Sequence, residues 1–204
     1  MIAEKILNQI NSKDILNIYR YGSVVYGTNT ELSDEDFIVI IKDGLEKDII
    51  IDGMDLHLIP LEVFNKKLEE HDPMALECLY LPDSCKVLEN KDLKHKIDIE
   101  KLRNSFSAKA SNSWVKAKKK LEVEKDFNVY LAKKSLFHSL RILTFGMQIA
   151  SYGKIINYSA ANNFWNNIKD NPSTEWTIYK EEFQSTYNRL KTTFRKLAPL
   201  IVKE

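Results

Sequence analysis

The chain has 204 residues and a mass of 23.7 kDa, with 44% hydrophobic and 10% aromatic residues. That is enough apolar material for one domain, or for a small domain with an appended subdomain. A charged content of 29% with only 6 Gly and 5 Pro excludes collagen-like and low-complexity chains, and no apolar run reaches the roughly 18 residues of a membrane span. The net charge of +1 conceals a split: residues 1–100 hold 11 Lys/Arg against 21 Asp/Glu, and residues 101–204 hold 19 against 8. Such a split suits two mutually attractive faces, or an acidic half for divalent cations beside a basic half for anions. Cys78 and Cys85 supply no disulfide framework and match no zinc spacing. The opening MIAEKILNQINSKD lacks the apolar stretch of a signal peptide. A soluble, cytoplasmic protein is expected.

In chain order, Ile2, Ile6, Leu7 and Ile10 recur at helical spacing and predict a helix over about 2–12. Ile15 to Tyr21 is β-branched and aromatic, which predicts a strand running into Gly22 and a short helix from Ser23. Asp36 to Lys42 reads as a buried strand closed by the Asp43-Gly44 turn. Asp48 to Ile59 reads as one strand, or a tight pair kinked at Gly53. Past Pro60 the period becomes helical through Leu61, Phe64, Leu68, Ala75, Leu76 and Leu79, and Lys86 to Leu88 reads as a last short strand. From about Lys91 the pattern is almost wholly helical, with Gly153 at a helix C-terminus. The Asn-, Asp-, Pro- and Ser-rich stretch 162–174 reads as a connection, before a final helix from Trp176 to Leu197. The expected organisation is a small α/β unit over 1–90 and a helical unit over 91–204.

The chemistry concentrates in YGSVVYGTNTELSDEDFIVI. Gly22-Ser23 falls where a strand ends and a helix begins, where glycine permits a tight turn and following amides can hold phosphate. Asp34 and Asp36 point to one face of an extended chain, and two adjacent carboxylates suit a solvated edge or a shared hard cation. On the strand MDLHLI, Asp55 alternates with Met54 and Leu56, so it lies on the polar face. If that strand neighbours the Asp36 strand, Asp55 completes a cluster of three carboxylates; Asp52, nearer the Gly53 kink, is its rival.

These residues resemble the DNA polymerase β-type nucleotidyltransferase superfamily. The fuller pattern GSxxYGTxTxxSDxDFxVI looks like the predicted bacterial and phage nucleotidyltransferases, in which a Lys-x-x-x-His-x-x-Arg helix also recurs, matched here by Lys134, His138 and Arg141. Glu35 departs from the pattern, replacing an apolar residue. The resemblance implies an α+β fold: a small mixed or antiparallel sheet with helices on one face, followed by a helical subdomain that completes the cleft. It implies two Mg²⁺ (or Mn²⁺) ions held by Asp34, Asp36 and Asp55. It also implies nucleotide transfer from an NTP with loss of pyrophosphate, the phosphate tail resting on Gly22-Ser23. The acceptor is open between RNA, protein and a small molecule. A catalytically silent module binding a nucleotide or partner is the alternative, and an RNA-binding helical domain with a relic core is a third reading.

Other features have two readings each. Tyr130, Lys134, His138 and Arg141 form one helical stripe opposite the core stripe Leu136, Leu140, Leu143 and Met147; Arg141 is either an ion-pair partner or an anion ligand. Lys116, Lys118, Lys119 and Lys120 after Trp114 form a solvated face or a nucleic-acid patch. His57 shares a strand face with Asp55, His71 precedes a helix start at Asp72-Pro73, and Ser33 can fix its turn by bonding backbone amides.

Overall fold

A near-continuous apolar run can be buried on both sides only as a central strand, and DFIVII takes that place. The computed structural model describes residues 2–10 and 12–200. Five strands, β1 (Ile15–Tyr21), β2 (Glu35–Ile41), β3 (Lys47–Ile51), β4 (Met54–Pro60) and β5 (Lys86–Glu89), form one mixed sheet in the order β3-β4-β2-β1-β5. β2 runs parallel to β4 and antiparallel to β1; β3–β4 and β1–β5 are antiparallel. The Asp48–Ile59 segment is therefore the kinked pair, turning at Asp52 (φ 49°) and Gly53 (φ 79°).

One sheet face carries Ile18, Phe37, Val39, Ile41, Leu56 and Leu58 and packs against helix α1 (Ile2–Gln9), whose Ile6 is fully buried. The helix stops short of the expected residue 12, and residue 11 lies outside the described residues; Ser12–Asp14 is a single 3₁₀ turn. Ile38, Ile40 and Ile59 alternate onto the other face and are also buried. There α3 (Leu61–Glu69) packs on β2 and β4, and α4 (Pro73–Leu79) on β1. The expectation of helices on one face is thus corrected: both faces are covered, because the central strands are apolar on both. Burial of each such Ile, Leu or Phe contributes about 1.5–3 kcal/mol, so leaving either face bare would be prohibitive.

The sheet edge is latched by a buried amide. Asn17 Nδ2 donates to Tyr19 Oη (2.7 Å) and to the Lys91 carbonyl (2.9 Å), while Lys91 N–H donates to Asn17 Oδ1 (2.8 Å). Burial pushes the Tyr19 phenol well above its ordinary pKa, so it stays protonated and donates to Glu89 (3.4 Å).

Contacts divide the chain into two compact units, residues 1–96 and 97–204. The second contains α5 (Ile99–Glu122), α6 (Val129–Tyr152), α7 (Asn162–Asp170) and α8 (Trp176–Leu197). Asp98 and Asn128 cap the N-termini of α5 and α6 through backbone amides, and Gly153 (φ 72°) ends α6 in the left-handed conformation. Helix α7 corrects the expected connection over 162–174. Its polar composition masks a stripe at 161, 164, 165 and 168, of which Ala161 and Ile168 are fully buried, and a narrow apolar stripe suffices when a neighbour covers it. No helix among the described residues is long and apolar enough to cross a membrane.

Gly146 sets how closely three of these helices approach. A Cβ there would meet Phe194 Cε2 of α8 at 2.8 Å and Phe106 Cδ1 of α5 at 3.0 Å, and both rings are fully buried. Gly146→Ala is expected to destabilise the chain by about 1–3 kcal/mol through overpacking, read as a lower urea midpoint at unchanged slope.

Candidate active site

The β2–β4 register builds the site. Asp36 pairs directly with Asp55 across the parallel ladder. The buried Phe37 and Leu56 that follow them point to the α1 face, so Asp36 and Asp55 share the opposite face. Asp34 lies one residue ahead of β2 and is exposed; Asp36 and Asp55 are half-buried. Among the described residues, no three His, Cys, Asp or Glu side chains are gathered closely enough to hold a metal ion. The pair offers carboxylate oxygens only, which is the donor chemistry a hard divalent cation takes, and Asp34 is the nearest acid in sequence that can join it.

The turn before α2 (Ser23–Tyr26) lies against this pair. Gly22 adopts φ 72°, ψ −149°, a region essentially reserved for glycine. A Cβ built there would fall 2.1 Å from Asp36 Oδ2. The backbone of the turn and the Asp36 carboxylate therefore occupy one small space. Ser23 and Val24 open the helix, so their amides have no carbonyl within it. Downstream, Ser33 Oγ accepts from Thr30 N–H (2.8 Å) and Ser33 N–H donates to the Thr30 carbonyl (3.0 Å), fixing the loop that delivers Asp34.

The rivals have other positions. Asp52 sits exposed in the β3–β4 turn. Glu35 points to the opposite face from Asp36 and pairs with Arg20 at 2.9 Å. His57 shares the Asp55 face, but its ring nitrogens face Asp48 (2.5 Å) and Glu46 (2.9 Å). Burial opposes ionisation of Glu46, yet hydrogen bonds from Lys67 and His57 prevail and hold its carboxyl below the usual range. His71 (φ 57°) is buried ahead of the Asp72 cap, with Nε2 3.3 Å from His95 Nε2.

On α6, the stripe is not uniform. Tyr130 and Lys134 are exposed, with the Lys134 ammonium 5.0 Å from the Tyr130 ring centre. Arg141 is only 7% exposed. Its Nη2 donates to His138 Nδ1 at 2.8 Å, and its guanidinium lies 5.4 and 5.9 Å from the Phe137 and Phe145 ring centres. Burial, then the positive charges of Arg141, Lys109 and Lys116, hold the His138 pKa well below its ordinary value. The ring is therefore neutral and accepts from the arginine. From Ser135 onward α6 is buried around most of its circumference, which a two-stripe reading did not anticipate.

Three lysines of the basic run share two acids: Lys118 pairs with Glu122 (3.5 Å), Lys119 with Asp126 (3.7 Å) and Lys120 with Asp126. Trp114 stacks on Tyr187 (4.5 Å between centres) and meets Trp176 edge-on (5.1 Å). Its faces are committed to the helical unit rather than to stacking bases.

The expected cluster of three carboxylates is not gathered among the described residues; the structure sets Asp36 beside Asp55, with the Gly22 turn against Asp36. The model of the nucleotidyltransferase domain matches residues 2–121. The chain belongs to this family, which makes it a nucleotidyl-transfer enzyme of the polymerase β-like type. No curated protein sequence matches it. Among solved structures it is similar to a spectinomycin adenyltransferase from Enterococcus faecialis, solved with ATP and spectinomycin. That likeness has 15% identity and a TM-score of 0.45, covering 98% of this chain and 89% of that one. It is also similar to a nucleotidyltransferase-like protein from Exiguobacterium sibiricum, at 13% identity and a TM-score of 0.32, covering 96% and 74%.

One residue of the first unit, Glu77, escaped the sequence reading, as did the role of Tyr26, the tyrosine of the GSxxYGT pattern. Tyr26 Oη–H donates to Glu77 Oε2 at 2.5 Å, and both side chains are buried. Glu77 lies 51 positions away on a helix whose pattern reads simply as apolar; only its acid at an apolar-flanked position (LEC) could have signalled it.

Proposed function

We propose that the chain moves an NMP from an NTP to an acceptor hydroxyl or amine, in a divalent-cation-dependent reaction that releases pyrophosphate. The observation that carries this reading is the direct pairing of Asp36 with Asp55 beside the Gly22 turn. Residues 1–90 are the transferase core and 91–204 the accessory helical subdomain. Asp36 and Asp55, joined by Asp34, would hold Mg²⁺ or Mn²⁺; when bound, the cation neutralises triphosphate charge and favours in-line attack. The Gly22-Ser23 turn holds the phosphate tail. Asp55 draws the proton from the acceptor as its oxygen or nitrogen bonds the α-phosphorus, and the bond to the β-phosphate breaks with its electrons leaving on pyrophosphate. Lys134, His138 and Arg141 bind substrate anion, the neutral His138 orienting the Arg141 guanidinium.

The test is incubation with each α-labelled NTP and Mg²⁺, following label into RNA, protein and small-molecule fractions of a cell extract. Transfer that needs the divalent cation and releases pyrophosphate is the expected result, and the labelled fraction identifies the acceptor class. Nucleotide binding without transfer to any fraction would favour the silent module.

A further inference from the structure

Helix α2 is a single turn of four residues without a side-chain N-cap. So short a helix has no stability of its own, yet its first residues form the turn that meets Asp36. Something beyond its backbone must hold it. Its last residue, Tyr26, is 3% exposed; the ring meets Tyr21 edge-on (centres 6.1 Å apart), and the hydroxyl ends on Glu77. Glu77 is 1% exposed. Its helix, α4, is well founded: Asp72 caps it through Met74 N–H (2.9 Å) and Ala75 N–H (3.4 Å), with Pro73 in the first turn. A buried carboxyl is costly unless it is hydrogen-bonded, and this one accepts its bond from the residue that ends the phosphate turn.

We infer that Glu77 is a positioning residue: through Tyr26 it ties α2 to α4, and so fixes the Gly22-Ser23 turn at the distance from Asp36 that the NTP phosphates require. Its role in nucleotide binding rests on the transferase reading above; the tie itself does not. Removing one partner alone would strand a buried polar group, whereas replacing both by apolar groups of similar shape is nearly neutral for stability. The informative variant is therefore Tyr26→Phe/Glu77→Leu, with Glu77→Gln as the conservative control, since its amide oxygen still accepts from Tyr26.

Two measurements on the full chain decide the matter: amide hydrogen exchange at residues 24–28, and affinity for each of the four NTPs with Mg²⁺ by calorimetry. The double variant is expected to melt close to wild type, exchange at least about tenfold faster at 24–28 with β2 still protected, and bind NTP about tenfold more weakly, the equivalent of losing one such bond. Glu77→Gln is expected to stay within about twofold of wild type in both. Unchanged exchange in the double variant would overturn the tie. Faster exchange with unchanged NTP affinity would overturn the positioning role. A wild-type protein that binds none of the four NTPs would sink the transferase reading and the nucleotide role together, while the exchange data would still show whether α2 is tied to α4.

Discussion

Asp36→Asn is expected to reduce nucleotide transfer roughly a thousandfold or more, about 4 kcal/mol of transition-state stabilisation. The change keeps the shape of the side chain and removes one of two carboxylates at neighbouring positions of the β2–β4 ladder. Like charges so placed repel, so the ligand-free protein should melt at the wild-type temperature or slightly above it. The gain in melting temperature from NTP with Mg²⁺, which follows from binding to the folded state alone, should vanish. An acidic loop with no role would leave melting, ligand stabilisation and turnover all unaltered, and that triple result would refute the site.

Gly22→Ala is expected to cost about 1–3 kcal/mol of stability, because its backbone angles suit only glycine, and to reduce transfer as severely as Asp36→Asn. The second effect comes from the added methyl carbon, which would sit 2.1 Å from Asp36 Oδ2 and must push the carboxylate aside. Gly53→Ala separates the two causes. Gly53 also has a positive φ of 79°, but nothing lies within 4 Å of a Cβ there. It should lose comparable stability, measured by urea unfolding, while keeping its turnover. Equal loss of activity in both variants would show that backbone strain, not displacement of Asp36, is responsible.

The strands were legible because their chemistry is periodic. Ile15–Tyr21 and the alternation of Met54, Leu56 and Leu58 announce β1 and β4, and the phase that buries Leu56 puts Asp55 on the other face. The pairing of Asp55 with Asp36, rather than with some other position, was not legible: register depends on which strands adjoin, and β3 inserts between β2 and β4 in sequence while lying outside them in the sheet. Helix α7 was hidden by four Asn among its first six residues, whose propensity speaks for a loop while Ile168 and Ala161 decide for a helix through burial. The helical spacing puts Arg141 one turn from His138, but the bond between them inside a buried helix is a matter of rotamer and dielectric that spacing only permits. Glu77 shows the largest gap. Sequence separation conceals a bond between residue 26 and residue 77, and a single acid among Ala, Leu and Cys carries no periodic signal.

The mixed sheet also divides its cost of assembly unevenly. Joining Asp36 to Asp55 closes a segment of 19 residues, whereas joining Asn17 to Glu89 closes one of 72. With an entropic penalty growing as the logarithm of length, the outer closure costs roughly 1.2 kcal/mol more. The paired acids thus belong to a part of the sheet that the chain closes more locally than its β1–β5 edge. The amide latch at Asn17 supplies its bonds where the chain has most freedom to lose.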